Sequence, residues 1–205
     1  MKKIIATLLL LTLALTLTAC AAISPAAPRK TFARGTWDGN TYTSEFAELT
    51  LTLPESGWTI STDEEIADQM GISRDLLDST ELEEAIMEQT NITDMMAVDS
   101  TTSANIILMF VNLSGYADKD AVSLDDVADQ IADGLRATDV FDYEVGETSR
   151  TTLCGNEYLL LTAAIPAYDM HQAYLMRREG DMVIELILTA THGNTTDDLL
   201  ELFHD

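Results

Sequence analysis

A-Y-L-M-R-R-E-G-D-M-V-I-E-L-I-L-T-A-T, residues 173–191, reads as two strands folded back on each other. Residues 173–178 and 182–191 are rich in aliphatic and β-branched side chains, and Glu179-Gly180-Asp181 supplies the turn between them. The pattern recurs upstream. Residues 143–153 and 157–165 read as strands joined at Gly155-Asn156, and Asp38-Gly39-Asn40 separates 32–37 from 41–46 in a first hairpin. Leu49, Leu51 and Leu53 alternate with Thr50 and Thr52 up to Pro54, the period of a half-buried strand that continues at Trp58 and Ile60 after the Glu55-Ser56-Gly57 turn. Residues 95–98 and 106–113 are two further strands, the second so continuously apolar that it belongs in the middle of a sheet.

Helices come in blocks between these hairpins. Ser61-Thr62-Asp63-Glu64 fits a capping box, with Ile66 and Met70 one turn apart and Gly71 as the stop. Residues 73–89 read as a second helical stretch. Residues 123–138 carry the strongest helical pattern: Leu124, Val127, Ala128, Ile131 and Leu135 form one stripe, and Asp125, Asp126, Asp129 and Asp133 occupy the remainder. Thr195 or Thr196 caps a last helix at 197–203. Hairpins alternating with blocks of helix predict an α+β fold around a central antiparallel sheet.

The chain has 205 residues, enough for one domain of ordinary size. Its first twenty, M-K-K-I-I-A-T-L-L-L-L-T-L-A-L-T-L-T-A-C, place Lys2 and Lys3 before an apolar run too short to span a bilayer. The ending Leu17-Thr18-Ala19-Cys20 resembles the lipobox of bacterial lipoproteins. That resemblance implies a signal peptide at 1–19, lipidation of Cys20, and attachment to the extracytoplasmic face of the cell membrane. Residues 20–31, containing Pro25 and Pro28, read as the lipidated cysteine and its linker, and 32–205 as a single domain.

Eleven Lys+Arg against 35 Asp+Glu give a formal charge of −24, and loss of Lys2 and Lys3 with the signal takes it to −26. Such a polyanion is no general nucleic-acid binder, because phosphate contacts need basic side chains. The charge is also split. Arg29, Lys30 and Arg34 stand without an acid in residues 20–36, while 37–205 hold all 35 acids. A basic tether lying along anionic headgroups, with an acidic domain standing off the membrane, follows as an expectation.

Motifs that would name a reaction do not occur. There is no P-loop, G-x-G-x-x-G, G-x-S-x-G or H-E-x-x-H. With Cys20 lipidated, Cys154 has no intrachain partner; beside a Gly-Asn turn it reads as a structural residue rather than a nucleophile served by His171. His171, His192 and His204 have no second ligand at metal spacing. Asp118, Asp120, Asp126, Asp129 and Asp133 lack the spacing of a calcium loop and read as a solvated face. Met87, Met95, Met96, Met109 and Met182 fall in helix or strand patterns and read as core filler. No cofactor or metal is expected.

From Phe46 to Ile60, F-A-E-L-T-L-T-L-P-E-S-G-W-T-I resembles a pattern of PsbP-like lipoproteins: a strand, then Leu-Pro-Glu, then Gly-Trp. The closing hairpin with its short helix ending in Leu202-Phe203 is similar to the same family, and to uncharacterised lipoproteins of Gram-positive gut bacteria. The resemblance implies a central antiparallel sheet with helices on both faces, and it brings no catalytic residue. Photosystem association is a role of some members, and no motif for it occurs here.

The expected function is therefore a non-catalytic accessory or binding module. Its partners would be membrane lipid through acylated Cys20 and a protein of the cell envelope. The alternative is a cell-envelope hydrolase using carboxylates such as Glu157, Asp169 or Glu185. Two acids sharing an enclosed pocket with opposed pKa values would distinguish it.

Overall fold

Hydrogen bonding sorts the strands into two antiparallel sheets. The computed structural model describes residues 30–76 and 81–204; the signal segment, Cys20 and Arg29 lie outside the described residues. The smaller sheet has the order β1 (Thr36–Asp38), β2 (Thr41–Ser44), β3 (Leu49–Thr52) and β12 (Phe203–His204). In the larger sheet β4 (Trp58–Ile60) is followed by β5 (Asn91–Asp99), β6 (Asn105–Asn112), β11 (Met182–Thr191), β10 (Met170–Glu179) and β9 (Asn156–Ile165). Beyond β9, the short strands β7 (Glu144–Val145) and β8 (Ser149–Leu153) share its outer edge in tandem. The described helices are α1 (Asp63–Met70), α2 (Leu82–Met87), α3 (Leu124–Arg136) and α4 (Thr196–Leu200).

Strand periodicity gives the large sheet two different faces. Ile106, Leu108 and Phe110 of β6 and Ile184, Leu186 and Leu188 of β11 point toward the small sheet, where Tyr42, Leu49 and Leu51 meet them. Leu199 and Phe203 join this core, as do Ala67 of α1 and Ile86 of α2. On the opposite face Val183, Tyr174, Met176, Leu159, Leu161 and Ala163 pack against Ala128 and Ala132 of α3. Strands thus dominate, and most of one face is covered by sheet rather than helix.

Several local expectations shift. β4 does not extend the β3 strand after its turn: Thr59 pairs with Val98, so the Pro54–Gly57 segment carries the chain from one sheet to the other. Of the 73–89 helical stretch, the described residues form a 3₁₀ turn at Arg74–Leu76 and the short α2, while 77–80 lie outside the described residues. The 143–153 strand breaks at Gly146, whose N–H donates to the Thr162 carbonyl at 2.8 Å. A Cβ there would lie 2.5 Å from Thr162 Oγ1, so only glycine permits the approach. The last helix ends at Leu200, and Phe203 returns as a strand opposite Leu51, burying its ring.

Residues 30–35 are bound to the domain. A bulge between Thr93 and Met95 sets Asp94 apart from the β5–β6 register, and its side chain is fully buried. Asp94 Oδ1 accepts from Arg34 Nε at 3.0 Å, while Oδ2 accepts from the Gly35 N–H at 2.9 Å and from the Tyr42 hydroxyl. Arg34 also donates to the Asp94 carbonyl and reaches Asp63 at the start of α1, at 3.1 Å. Lys30 pairs with Glu48, and Phe32 stacks edge-on against Phe46 and Phe110 at 5.3 and 5.1 Å. The expectation that these basic residues lie along headgroups is therefore corrected for Arg34. A headgroup layer offers each about 1 kcal/mol. Breaking a buried ion pair costs about 3–5 kcal/mol, and Arg34 stays with Asp94.

Asp94→Ala should lower stability by about 3–5 kcal/mol, because it leaves Arg34, Tyr42 and the Gly35 N–H without their acceptor. Gly35→Ala should loosen the same region, since its Cβ would stand 2.2 Å from the Tyr42 oxygen. Denaturant unfolding and amide exchange at Gly35 measure both effects. A fully protected Gly35 amide in Asp94→Ala would contradict this account.

Candidate functional site

Helix α3 begins where the sequence asks it to. Ser123 caps it: its hydroxyl accepts from the Asp126 N–H at 3.1 Å, and Asp126 Oδ2 accepts from the Ser123 N–H at 2.8 Å. Its apolar stripe settles over β10, β9 and β7. A helix is about 10 Å wide and strands are about 4.8 Å apart, so one helix covers about two strands. The same face of β6 and β11 is left partly open beside it.

Between α3 and these strands lies a cleft of about 430 Å³. Val111 and Leu113 form one wall, Val127 and Ile131 of α3 the other, and Val122 and Tyr116 close an end. Thr90, Asn91, Gln130 and Asp126 contribute polar atoms to the lining. The loop carrying Tyr116 and Val122 is pinned by Arg178, whose guanidinium donates to the carbonyls of Val122 at 2.6 Å and Lys119 at 2.9 Å. Lys119 in turn pairs with Asp181 at 2.6 Å.

Glu185 of β11 opens into this cleft. It occupies an inward position between Val183 and Ile187, with Met109 across on β6 and Met176 across on β10. Only 6% of the residue is exposed, and no hydrogen bond or ion pair to it occurs among the described residues. Burial alone pushes its carboxyl up to about 7. Its neighbour Tyr174 is raised beyond its ordinary range, chiefly by burial and further by the nearby Tyr143 and Glu185. At the rim Asp126 moves the other way: its bonds from the Ser123 hydroxyl and N–H hold it below the usual carboxylate range.

The three nominated acids are not brought together. Glu157 is exposed on β9 and pairs with Arg150 at 3.1 Å. Asp169 follows β9, in a left-handed conformation with φ 49°, and accepts from the Gly193 N–H at 2.9 Å. Glu185 alone of them is buried and faces a cavity. Asp126 was readable only as part of an acidic helix face; that the same residue walls a cleft follows from where α3 docks. Cys154 sits at the β8–β9 turn with φ 47°, whereas His171 pairs with Ala164 near the far end of β9. Eight residues of strand separate those ends, roughly 27 Å, so the two form no dyad. Among the described residues no three His, Cys, Asp or Glu gather where they could hold a metal ion.

No protein-family model matches this sequence, and no curated protein matches it. Among solved structures, the solution structure of cyanobacterial PsbP (CyanoP) from Synechocystis sp. PCC 6803 is similar with a TM-score of 0.46 and 12% identity, over 92% of this chain and 98% of that one.

Glu185 makes stability depend on pH in a definite sense. A carboxyl raised from 4.5 to about 7 favours the folded state while protonated, so its contribution is whole below pH 4.5 and is lost as pH rises through about 7. The difference amounts to about 3 kcal/mol between those limits. Glu185→Gln should therefore stabilise the chain at pH 8 and change little at pH 5. Unfolding curves at the two pH values measure it, and equal effects at both would refute the assignment.

Proposed function

We propose that this chain is a lipid-anchored accessory module of the extracytoplasmic membrane face, built on a PsbP-like domain, and that the cleft beside α3 binds a small ligand without transforming it. The lipobox-like Leu17-Thr18-Ala19-Cys20 behind Lys2 and Lys3 supports the anchor. No helix among the described residues is long and apolar enough to cross a membrane. The pattern from Phe46 to Ile60 supports the family reading.

One observation carries the binding reading: a buried carboxyl without a partner faces a cavity whose walls are mostly apolar. Its volume lies within the 300–1,000 Å³ range usual for small-molecule sites.

The hydrolase reading draws on the same cleft, since Glu185 and Asp126 line it with opposite shifts. Asp126, however, is committed to the α3 cap through Ser123. That leaves one uncommitted acid, where an acid–base pair needs two. Binding is the better reading.

Two measurements test the proposal. Cys20→Ser should lose acylation and leave the membrane fraction, or accumulate as uncleaved precursor. Wild-type chain found unlipidated in the soluble fraction would remove the anchor. For the cleft, small fragments bound by the full chain in detergent micelles should lose at least tenfold in affinity in Val127→Trp and keep it in Asp129→Trp on the polar face of α3, circular dichroism confirming both folds. Fragments that still bind Val127→Trp, or that emerge chemically changed, would overturn the reading.

A further inference from the structure

We infer that the cleft takes a primary ammonium ion carrying an apolar body, with its cationic head against the Glu185 carboxylate. The inference rests on the cleft being the binding site. It concerns which chemistry that site accepts.

The lining decides the sign of the charge. It contains two acids and no Lys, Arg or His. The guanidinium of Arg178, which pins the loop at the end of the cleft, is occupied by the carbonyls of Lys119, Val122 and Gly180. An anion would meet Glu185 and Asp126 with no cationic side chain in the lining to offset them. The net charge of −24 also steers cations toward the surface and anions away from it.

The lining also decides the kind of cation. Mg²⁺ and Ca²⁺ require six or more oxygen ligands, and here the cavity is walled by Val111, Leu113, Val127 and Ile131. A quaternary ammonium is recognised by a cage of aromatic faces, whereas Tyr116 is the single aromatic residue lining the cleft. A primary ammonium brings three N–H donors. Glu185 accepts from one, and the side-chain oxygens of Asn91, Gln130 and Thr90 in the same lining offer acceptors for the others. The aliphatic walls then receive an alkyl body.

Binding of this kind is linked to protonation. The head needs the carboxylate form, so below the Glu185 midpoint, about 7, affinity should fall toward tenfold per pH unit. The other titratable groups facing Glu185 are Asp126 from α3, Tyr116 from the loop after β6 and Tyr174 from β10. Asp126 is held below the usual carboxylate range by Ser123 and stays ionised, and Tyr174 is pushed upward by burial and stays neutral, so the profile belongs to Glu185.

The experiment uses the full chain in neutral detergent micelles with n-hexylammonium, n-hexanol, n-hexanoate and n-hexyltrimethylammonium as probes. Binding is followed by NMR shifts at the Val127 and Ile131 amides and at the Glu185 carboxyl carbon. Hexylammonium should bind at least tenfold more tightly at pH 8 than the other three, and about thirtyfold more tightly at pH 8 than at pH 5.5. Glu185→Gln should remove that pH dependence and weaken hexylammonium binding at pH 8 at least tenfold, circular dichroism confirming the fold. If hexanol, hexanoate or hexyltrimethylammonium matches hexylammonium at pH 8, the cleft binds ligands and the ammonium assignment fails. Hexylammonium binding that survives in Glu185→Gln is adsorption to the acidic surface and overturns the assignment as well. If no probe shifts the cleft amides, the cleft reading itself is wrong.

Discussion

The large sheet has two apolar faces, and each must be covered by something. Toward the small sheet this is complete: Ile106, Leu108, Phe110, Leu186 and Leu188 are wholly buried. On the other face the principal cover is α3, thirteen residues long and laid over β9 and β10. One helix cannot reach across β11 and β6 as well. The cleft is the uncovered remainder, and Glu185 stands where a fully covered sheet would carry another aliphatic residue. Without the mismatch in width there would be neither a cavity nor a carboxyl pushed up to about 7.

The same economy of cover explains how the N-terminal segment is used. Phe32 completes an aromatic cluster with Phe46 and Phe110, and Arg34 neutralises the acid exposed to the interior by the β5 bulge. The charge of Arg34 therefore serves the domain's own interior. Arg34 further joins Asp94 on β5 to Asp63 on α1, so that one guanidinium holds together an entering chain, a bulge and a helix start. Glu48 in turn is held below the usual carboxylate range by Lys30 first and Arg177 after it, a second tie between the segment and the core.

What sequence could convey here is local. The β10–β11 turn, the start of α3 at Ser123, the Thr195 cap of α4 and the stripe on α3 all rest on residues within one turn or hairpin of each other, and each appears in the structure. The capping box of α1 forms one residue later than Ser61–Glu64, from Thr62 and Glu65. Glu185 was visible as a lone charge in M-V-I-E-L-I-L. What escaped is contact at long range. The bulge at Asp94 leaves no mark on alternation alone, and its partners lie some sixty residues away at Arg34 and Gly35. The second sheet depends on Phe203 reaching Leu51, and the pocket depends on where α3 docks. Gly146 looked like an interruption of a strand; its close approach to Thr162 shows why the interruption is there.

The two margins of the large sheet differ from its long middle. β4 presents three residues at one margin, and at the other β7 and β8 present two and five, separated by the break at Gly146. A long unpaired margin is a template onto which another chain can add a strand. Here each ladder stops after a few rungs, and Glu144, Glu147 and Arg150 stud the divided side with charge. A strand added at β4, or at β7 and β8, would find only these short ladders, whereas the ten-residue strands β9, β10 and β11 are all flanked by strands of their own chain.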